Sequence, residues 1–310
     1  MSSDDEARRD PLRLEAASVR RAFERAAATY DAAAVLQREI GQRMAERLAI
    51  VKLQPAAILD VGCGTGEGLA ELSARFPGAL PVGLDFAPAM LAVARKRALQ
   101  SDPSQSSILR RLIGAKPRGE RTSLVCADAR RMPLAEATFD LLWSNLVLHW
   151  IDGPRAAFAE FHRVLRPGGL LTFTAFGPDT LFELRSAFAG VDRATHVGRF
   201  VDMHDLGDML VSTGFAEPVM DMEKLTLTYA DAAALMRDLK ATGERNATAG
   251  RARGLTGRQR WLRMLDALER FRRDGRLPAT FEVVYGHAWK PEPRVSADGR
   301  AIVRVHRRTS

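Results

Sequence analysis

From Ile58 to Gly68 the chain reads ILDVGCGTGEG, a buried strand running into a glycine turn that opens a helix. Such a turn binds ligands through its backbone N–H groups. Gly62, Gly64 and Gly66 keep Cβ atoms out of the ligand's path and tolerate positive φ. Asp60 precedes the turn, and Asp85 ends the next strand, about twenty residues on, where a carboxylate can accept from both hydroxyls of a ribose. A dinucleotide fingerprint needs another glycine three positions after Gly64; Glu67 stands there, so an NAD site is not expected. A third acid, Asp128, sits in Cys126-Ala127-Asp128-Ala129 at another strand end, where a carboxylate can accept from a ligand's donor group. The fourth strand ends in Trp143-Ser144-Asn145-Leu146-Val147-Leu148-His149-Trp150. There Asn145 offers an amide, Trp150 a pocket wall, and His149 a ring whose ordinary pKa lies near neutrality. A lone histidine at a helix start is more often structural than a general base. With no G-x-S-x-G elbow, no H-E-x-x-H and no Walker loop, hydrolase and nucleotidase readings have no support.

Those strand ends must be held in one row. Strands around AAILDVGC, PVGLDF, TSLVCAD, FDLLWS and LLTFTAF alternate with helices over 67–75, 88–99 and 154–165, the last stopped by Pro167-Gly168-Gly169. Alternation of this kind predicts a mostly parallel α/β sheet covered on both faces, with ligands in the crevice beyond the carboxyl ends of its strands. Ahead of it, residues 15–52 read as a helical lid of two helices, with the stripe Val19, Phe23, Ala26, Tyr30 continuing through Leu36, Ile40, Met44 and Leu48. Asp31 is placed to cap the second. Residues 53–290 form the ligand-binding domain, carrying inserted helices over about 179–213 and 231–274 and a closing strand, FEVVYGHAW, which the fold class named below makes antiparallel. Residues 1–14 read as a flexible start, 100–122 as a mobile insertion and 291–310 as a basic tail.

Composition is that of a globular protein of 310 residues, 46% hydrophobic and 27% charged. The two cysteines, Cys63 and Cys126, show no metal-ligand spacing, so no metal and no disulfide framework are expected. The polar, acidic start and the lack of a long apolar run point to a cytoplasmic chain with no membrane partner. Net charge is +8, and residues 237–310 alone hold 18 Lys and Arg against 8 Asp and Glu. A basic face can meet nucleic acid or an acidic protein. Among the basic helices of that stretch, over 237–276, only Trp261 and Phe271 could stack on bases, a poor platform for nucleic acid.

An acid before G-x-G-x-G resembles class I S-adenosylmethionine (SAM) methyltransferases, whose fold is a Rossmann-like sheet. A closer resemblance spans nearly the whole chain. VRRAFERAAATYDAAAVLQREIGQRM, LDVGCGTG, SNLVLHW, LRPGGLLTFTAFGPDTLFELR, HVGRF, LTLTY and LMRDLKATGERN together look like the malonyl-acyl-carrier-protein O-methyltransferases of biotin synthesis. The glycine turn is widespread, whereas F-x-R-A-A-x-x-Y and D-L-K-x-x-G-x-x-N are selective. Two departures stand out. The 100–122 insertion is long, and position 149 is often glutamine in relatives, which weakens His149 as an essential base. GPDTLFELR and LPATFEVVYGHAW also resemble a mitochondrial complex I assembly factor that hydroxylates an arginine on the same fold. A carboxyl methyltransferase for small dicarboxylates and a SAM-binding regulator are the remaining alternatives.

The resemblance implies methyl transfer from SAM to the free carboxylate of malonyl-acyl carrier protein. It implies SAM contacts from Arg25, Asp60, Gly62, Gly64, Gly66, Asp85, Met90, Asp128, Ala129 and Asn145. Tyr30, Asn145, Trp150 and Arg199 are then expected around the reacting end, with Arg199 as a carboxylate clamp. A malonyl carboxylate is already ionised at pH 7, so no base is needed; geometry and water exclusion supply the catalysis. That demands a lid, for which Phe23, Arg25 and Tyr30 are the candidates. Arg251, Arg253, Arg258 and Arg260 are expected to meet the acidic carrier protein.

Overall fold

The computed structural model describes residues 10, 12–100, 122–192, 194–252, 254 and 256–293. The expected mobile insertion, most of the flexible start, the basic tail beyond 293 and Arg253 lie outside the described residues. Among the described residues, seven strands form one sheet in the order β3-β2-β1-β4-β5-β7-β6. They are β1 (Ala57–Val61), β2 (Leu80–Asp85), β3 (Ser123–Cys126), β4 (Phe139–Ser144), β5 (Leu165–Phe176), β6 (Ala216–Tyr229) and β7 (Leu277–Trp289). The first five pair in parallel, and β7 enters antiparallel between β5 and β6. Register sets Asp60 opposite Gly83 and Trp143, and Asp85 opposite Cys126, so the carboxyl ends open on one crevice.

Both faces of the sheet are apolar because successive side chains point opposite ways. Ile58, Leu141, Trp143 and Phe281 pack into one layer, while Leu59, Leu142, Leu171 and Val284 pack into the other. The second layer takes α6 (Pro154–Val164) and α8 (Met203–Ser212) through Phe158, Phe161, Leu206 and Leu210. The first takes α7 (Phe182–Ala189), α9 (Ala232–Ala241) and α10 (Arg258–Glu269). Helices α4 (Glu67–Arg75) and α5 (Pro88–Gln100) follow β1 and β2.

The N-terminal segment is α1 (Ala16–Ala26), a single turn α2 (Tyr30–Ala33) and α3 (Val35–Leu48), three pieces where two helices are expected. Thr29 sits at the first break, its hydroxyl donating to the carbonyls of Ala26 and Ala241. Leu36, Ile40, Met44 and Leu48 of α3 bury into the first core layer, so this helix belongs to the body of the fold. Arg43 and Arg47 pair with Glu223 and Asp221 of β6, fastening α3 to that strand. Asp31 does not cap a helix; it lies inside α2 with its carboxylate spent elsewhere. Pro167-Gly168-Gly169 likewise lies within β5, at a register shift against β4, instead of forming a separate turn.

Candidate active site

The glycine turn lines one wall of an open cleft of about 650 Å³, with Tyr30, Gln37 and Arg38 opposite. Gly62 has φ +74°, and a Cβ there would come within 2.2 Å of Val147 Cγ2, so no other residue fits. Asp60 faces this cleft with 3% exposure, and among the described residues no hydrogen bond or ion pair reaches its carboxylate. Burial, then the neighbouring Asp85 charge, pushes it up to about 8. A Cβ on Gly68 would lie 3.0 Å from Asp60 Oδ2, so a glycine keeps that oxygen clear. A buried carboxylate without a partner suits a ligand cation, and SAM carries an ammonium group at one end.

On the far side of Gly62 lies a second cleft, about 520 Å³, walled by Asp85, Phe86, Asp128, Ala129, Val147 and Trp150. Asp85 Oδ2 accepts from the Gly64 N–H at 3.0 Å and Oδ1 from Ala87 at 2.8 Å, which fixes the carboxylate's orientation. Each oxygen keeps a second lone pair for a ribose hydroxyl. Burial raises its pKa to about 6 against those hydrogen bonds. Asp128 is held by Arg130, whose Nη2 lies 2.7 Å from Oδ2, so its charge is stabilised and its pKa lowered.

A third cleft, about 610 Å³, runs from Trp150 past Phe176 and Phe200 to Arg199, Glu244 and Arg245. Trp150 separates it from the second cleft and meets Phe23 of α1 edge-on, with centroids 5.4 Å apart. Arg199 is exposed at this cleft. Glu244 accepts from Gln37 Nε2 at 2.6 Å, and burial pushes its carboxyl up to about 7. His149 is 7% exposed, with its Nδ1 accepting from the Phe176 N–H at 3.4 Å. Burial holds the ring down to about 3, so it is neutral throughout the physiological range and unsuited to taking a proton.

Several expected contacts fall elsewhere. Arg25 is exposed and donates from Nε to its own helix at the Arg21 carbonyl, and it does not line these clefts. Met90, 1% exposed, packs with Ala26 and Ala27 beneath α1, because α5 turns that face toward the lid. Gly66 shapes the turn from outside the clefts: at φ +83° it precedes α4. Asn145 lines the first cleft, yet its amide donates to the Gln37 carbonyl and accepts from the Thr174 hydroxyl. Tyr30 reaches the first cleft, its hydroxyl held protonated by burial and by Glu244, Asp85, Glu67 and Asp31. Arg251 has bonds within the molecule, to Glu15, Ser18 and the Thr248 carbonyl.

Sequence reading misses Gln37, Thr65 and Glu244. Gln37 is the one that leaves a signal, a polar residue beside the apolar stripe of α3, 9% exposed and joined to both Asn145 and Glu244. Thr65 and Glu244 act through partners distant in sequence, which spacing cannot reveal.

Residues 59–173 match the methyltransferase domain model. The fold is also that of two solved proteins. One, from Bacillus halodurans C-125, has TM-score 0.54 at 18% identity, covering 80% of this chain and 99% of that one. Bacillus subtilis YcgJ has TM-score 0.53 at 14% identity, covering 80% and 98%. The class I methyltransferase fold and domain imply SAM as methyl donor. A malonyl-acyl-carrier-protein O-methyltransferase of Laribacter hongkongensis is 55% identical over 93% of this chain and 95% of its own. Its counterpart in Gallionella capsiferriformans is 54% identical over the same shares. The chain belongs to the malonyl-acyl-carrier-protein O-methyltransferase family.

Proposed function

We propose that this protein methylates the free carboxylate of malonyl-acyl carrier protein, giving the methyl ester used to build the pimeloyl part of biotin. The observation that carries the reading is the meeting of three clefts. The first two share Gly62, and the second and third share Trp150. A donor lying across Gly62 would hold its cationic amino-acid end at Asp60 and its ribose at Asp85. The third cleft, apolar along Phe176 and Phe200 with Arg199 at one end, would admit the malonyl arm.

When bound, SAM supplies a methyl group on a cationic sulfur; the malonyl carboxylate takes it, and S-adenosylhomocysteine leaves. The chain's own residues have no proton to move, since the attacking oxygen is already ionised. Their work is to exclude water and fix the approach. Phe23 on Trp150 and Tyr30 over the glycine turn close the donor side. Arg199 attracts the substrate carboxylate into the cleft. The exposed Arg258 and Arg260 at the start of α10 would meet the acidic carrier protein.

Purified protein with methyl-labelled SAM should place label in malonyl-acyl carrier protein as an alkali-labile ester. Malonyl-CoA and free malonate, run in parallel, rank the dicarboxylate alternatives. Unlabelled malonyl-acyl carrier protein, together with oxygen-dependent modification of a protein arginine, would instead support the hydroxylase reading.

A further inference from the structure

Two buried polar atoms at the clefts have no hydrogen-bond partner among the described residues: Gln37 Oε1 and His149 Nε2. The second is the more telling. A buried, unpaired N–H costs stability unless something satisfies it during the working cycle. Because the Phe176 N–H donates to Nδ1, that nitrogen is an acceptor and the ring proton sits on Nε2. The ring is boxed by Phe176, Trp150 and Phe200, with centroids 4.5, 5.3 and 5.8 Å away. All four line the third cleft, and Trp150 forms the wall shared with the donor side. The donor atom therefore belongs to the end of the substrate cleft nearest the methyl group.

Resting on the function proposed above, we infer that His149 Nε2–H hydrogen-bonds an oxygen of the malonyl carboxylate and positions it for attack. The group acts as a neutral donor. That choice has a physical reason: the carboxylate loses its charge as the ester forms, so a strong cationic partner would stabilise the ground state more than the transition state. A neutral N–H orients the oxygens while giving up less when the charge disappears. Arg199, exposed at the same cleft, can attract the substrate from a distance without contacting the reacting oxygen.

The wild-type enzyme and His149→Leu and His149→Gln are compared with malonyl-acyl carrier protein at saturating SAM. His149→Leu should raise KM by about tenfold, the loss of one hydrogen bond to a charged acceptor, with kcat within about threefold. Glutamine also presents an N–H, so His149→Gln should recover most of the KM. SAM affinity by calorimetry should stay unchanged in both. A wild-type KM in a folded His149→Leu, or a His149→Gln as impaired as His149→Leu, overturns the inference while the methyltransferase reading stands. If the wild type itself labels no malonyl thioester, that reading fails and this one with it. Nitrogen NMR of wild-type protein holding S-adenosylhomocysteine needs no variant. Adding malonyl-CoA should shift the His149 Nε2 signal and slow exchange of its proton, and an unmoved signal at saturation overturns the inference.

Discussion

The Asp31 carboxylate accepts a 2.6 Å hydrogen bond from the Thr65 hydroxyl, fastening the N-terminal helices to the glycine turn they cover. Arg97 of α5 holds the other carboxylate oxygen at 2.7 Å. Thr65 is 2% exposed, so its hydroxyl depends on this bond, whereas the Arg97 pair is partly solvated and worth little by itself.

Thr65→Val should therefore loosen the lid without unfolding the sheet. The expected cost is ~1 kcal/mol, which would weaken SAM binding about fivefold if the lid must be closed to hold it. Hydrogen exchange should quicken across residues 16–34 and stay slow in β1 and β4. Equal exchange in both proteins would show that the bond does not hold the lid.

Asp60 makes SAM binding sensitive to pH. Its carboxyl, pushed up to about 8, is largely neutral at pH 7 in the free protein, and the ammonium of SAM favours the ionised form. Affinity should rise with pH up to about 8, and binding at pH 7 should release a proton. Calorimetry in two buffers of different ionisation enthalpy reads that proton directly. The sign for stability is opposite. A carboxyl whose folded pKa is raised makes the native state bind more protons, so ligand-free stability falls as pH rises from about 4 to 8, at most ~1.4 kcal/mol per unit. Asp60→Asn should remove the proton release and the pH dependence of SAM binding, and should lessen the fall in stability, to which Asp85 and Glu244 also contribute; an unchanged proton release would assign it to another group.

Most of the fold could be read from local pattern. The succession of β1 to β5 along the chain and the alternation that buries Ile58 and Leu59 on opposite faces follow from short-range signals, while the antiparallel last strand is what the methyltransferase resemblance implies. The acids at strand ends were legible for the same reason: Asp60 and Asp85 are fixed by the register of their own strands. What was not legible depends on contacts between distant segments. Met90 has helical spacing that suits either a cleft wall or a core, and only the seating of α1 decides. Arg251 reads as surface charge until Glu15, far away in sequence, is found 2.7 Å from it.

That last contact gives a prediction about the basic C-terminal half. Arg251, with about a fifth of its side chain exposed, ties the start of α1 to residues 248–251. Arg260 is 58% exposed and 3.9 Å from Asp192. Arg251→Ala should lower the melting temperature and loosen α1, whatever the substrate. Reversing Arg258 and Arg260 should instead raise KM for malonyl-acyl carrier protein and leave malonyl-CoA turnover unchanged. That increase should shrink with added salt, since exposed charges are screened over about 8–10 Å at physiological ionic strength. If the reversals affect both substrates equally, the start of α10 is not the carrier-protein face.

Glu244 should set the upper pH limit for the acyl substrate. It lines the substrate cleft, and burial pushes its carboxyl up to about 7. Below that pH the group is neutral and tolerates a malonyl carboxylate nearby; above it, two like charges share a cleft with apolar walls. With SAM saturating, so that Asp60 no longer contributes, kcat/KM for malonyl-acyl carrier protein should fall as pH rises through about 7. The fall should lie in KM, because the repulsion acts on substrate entry and binding. Glu244→Gln keeps an oxygen to accept from Gln37 Nε2, 2.6 Å away in the wild type, and cannot ionise. It should flatten the profile between about pH 6 and 8 and raise the melting temperature at pH 8, where the wild type carries the buried charge. His149, held down near 3, cannot produce a fall in this range. An unchanged slope in Glu244→Gln would mean that the carboxylate lies too far from the malonyl group to repel it.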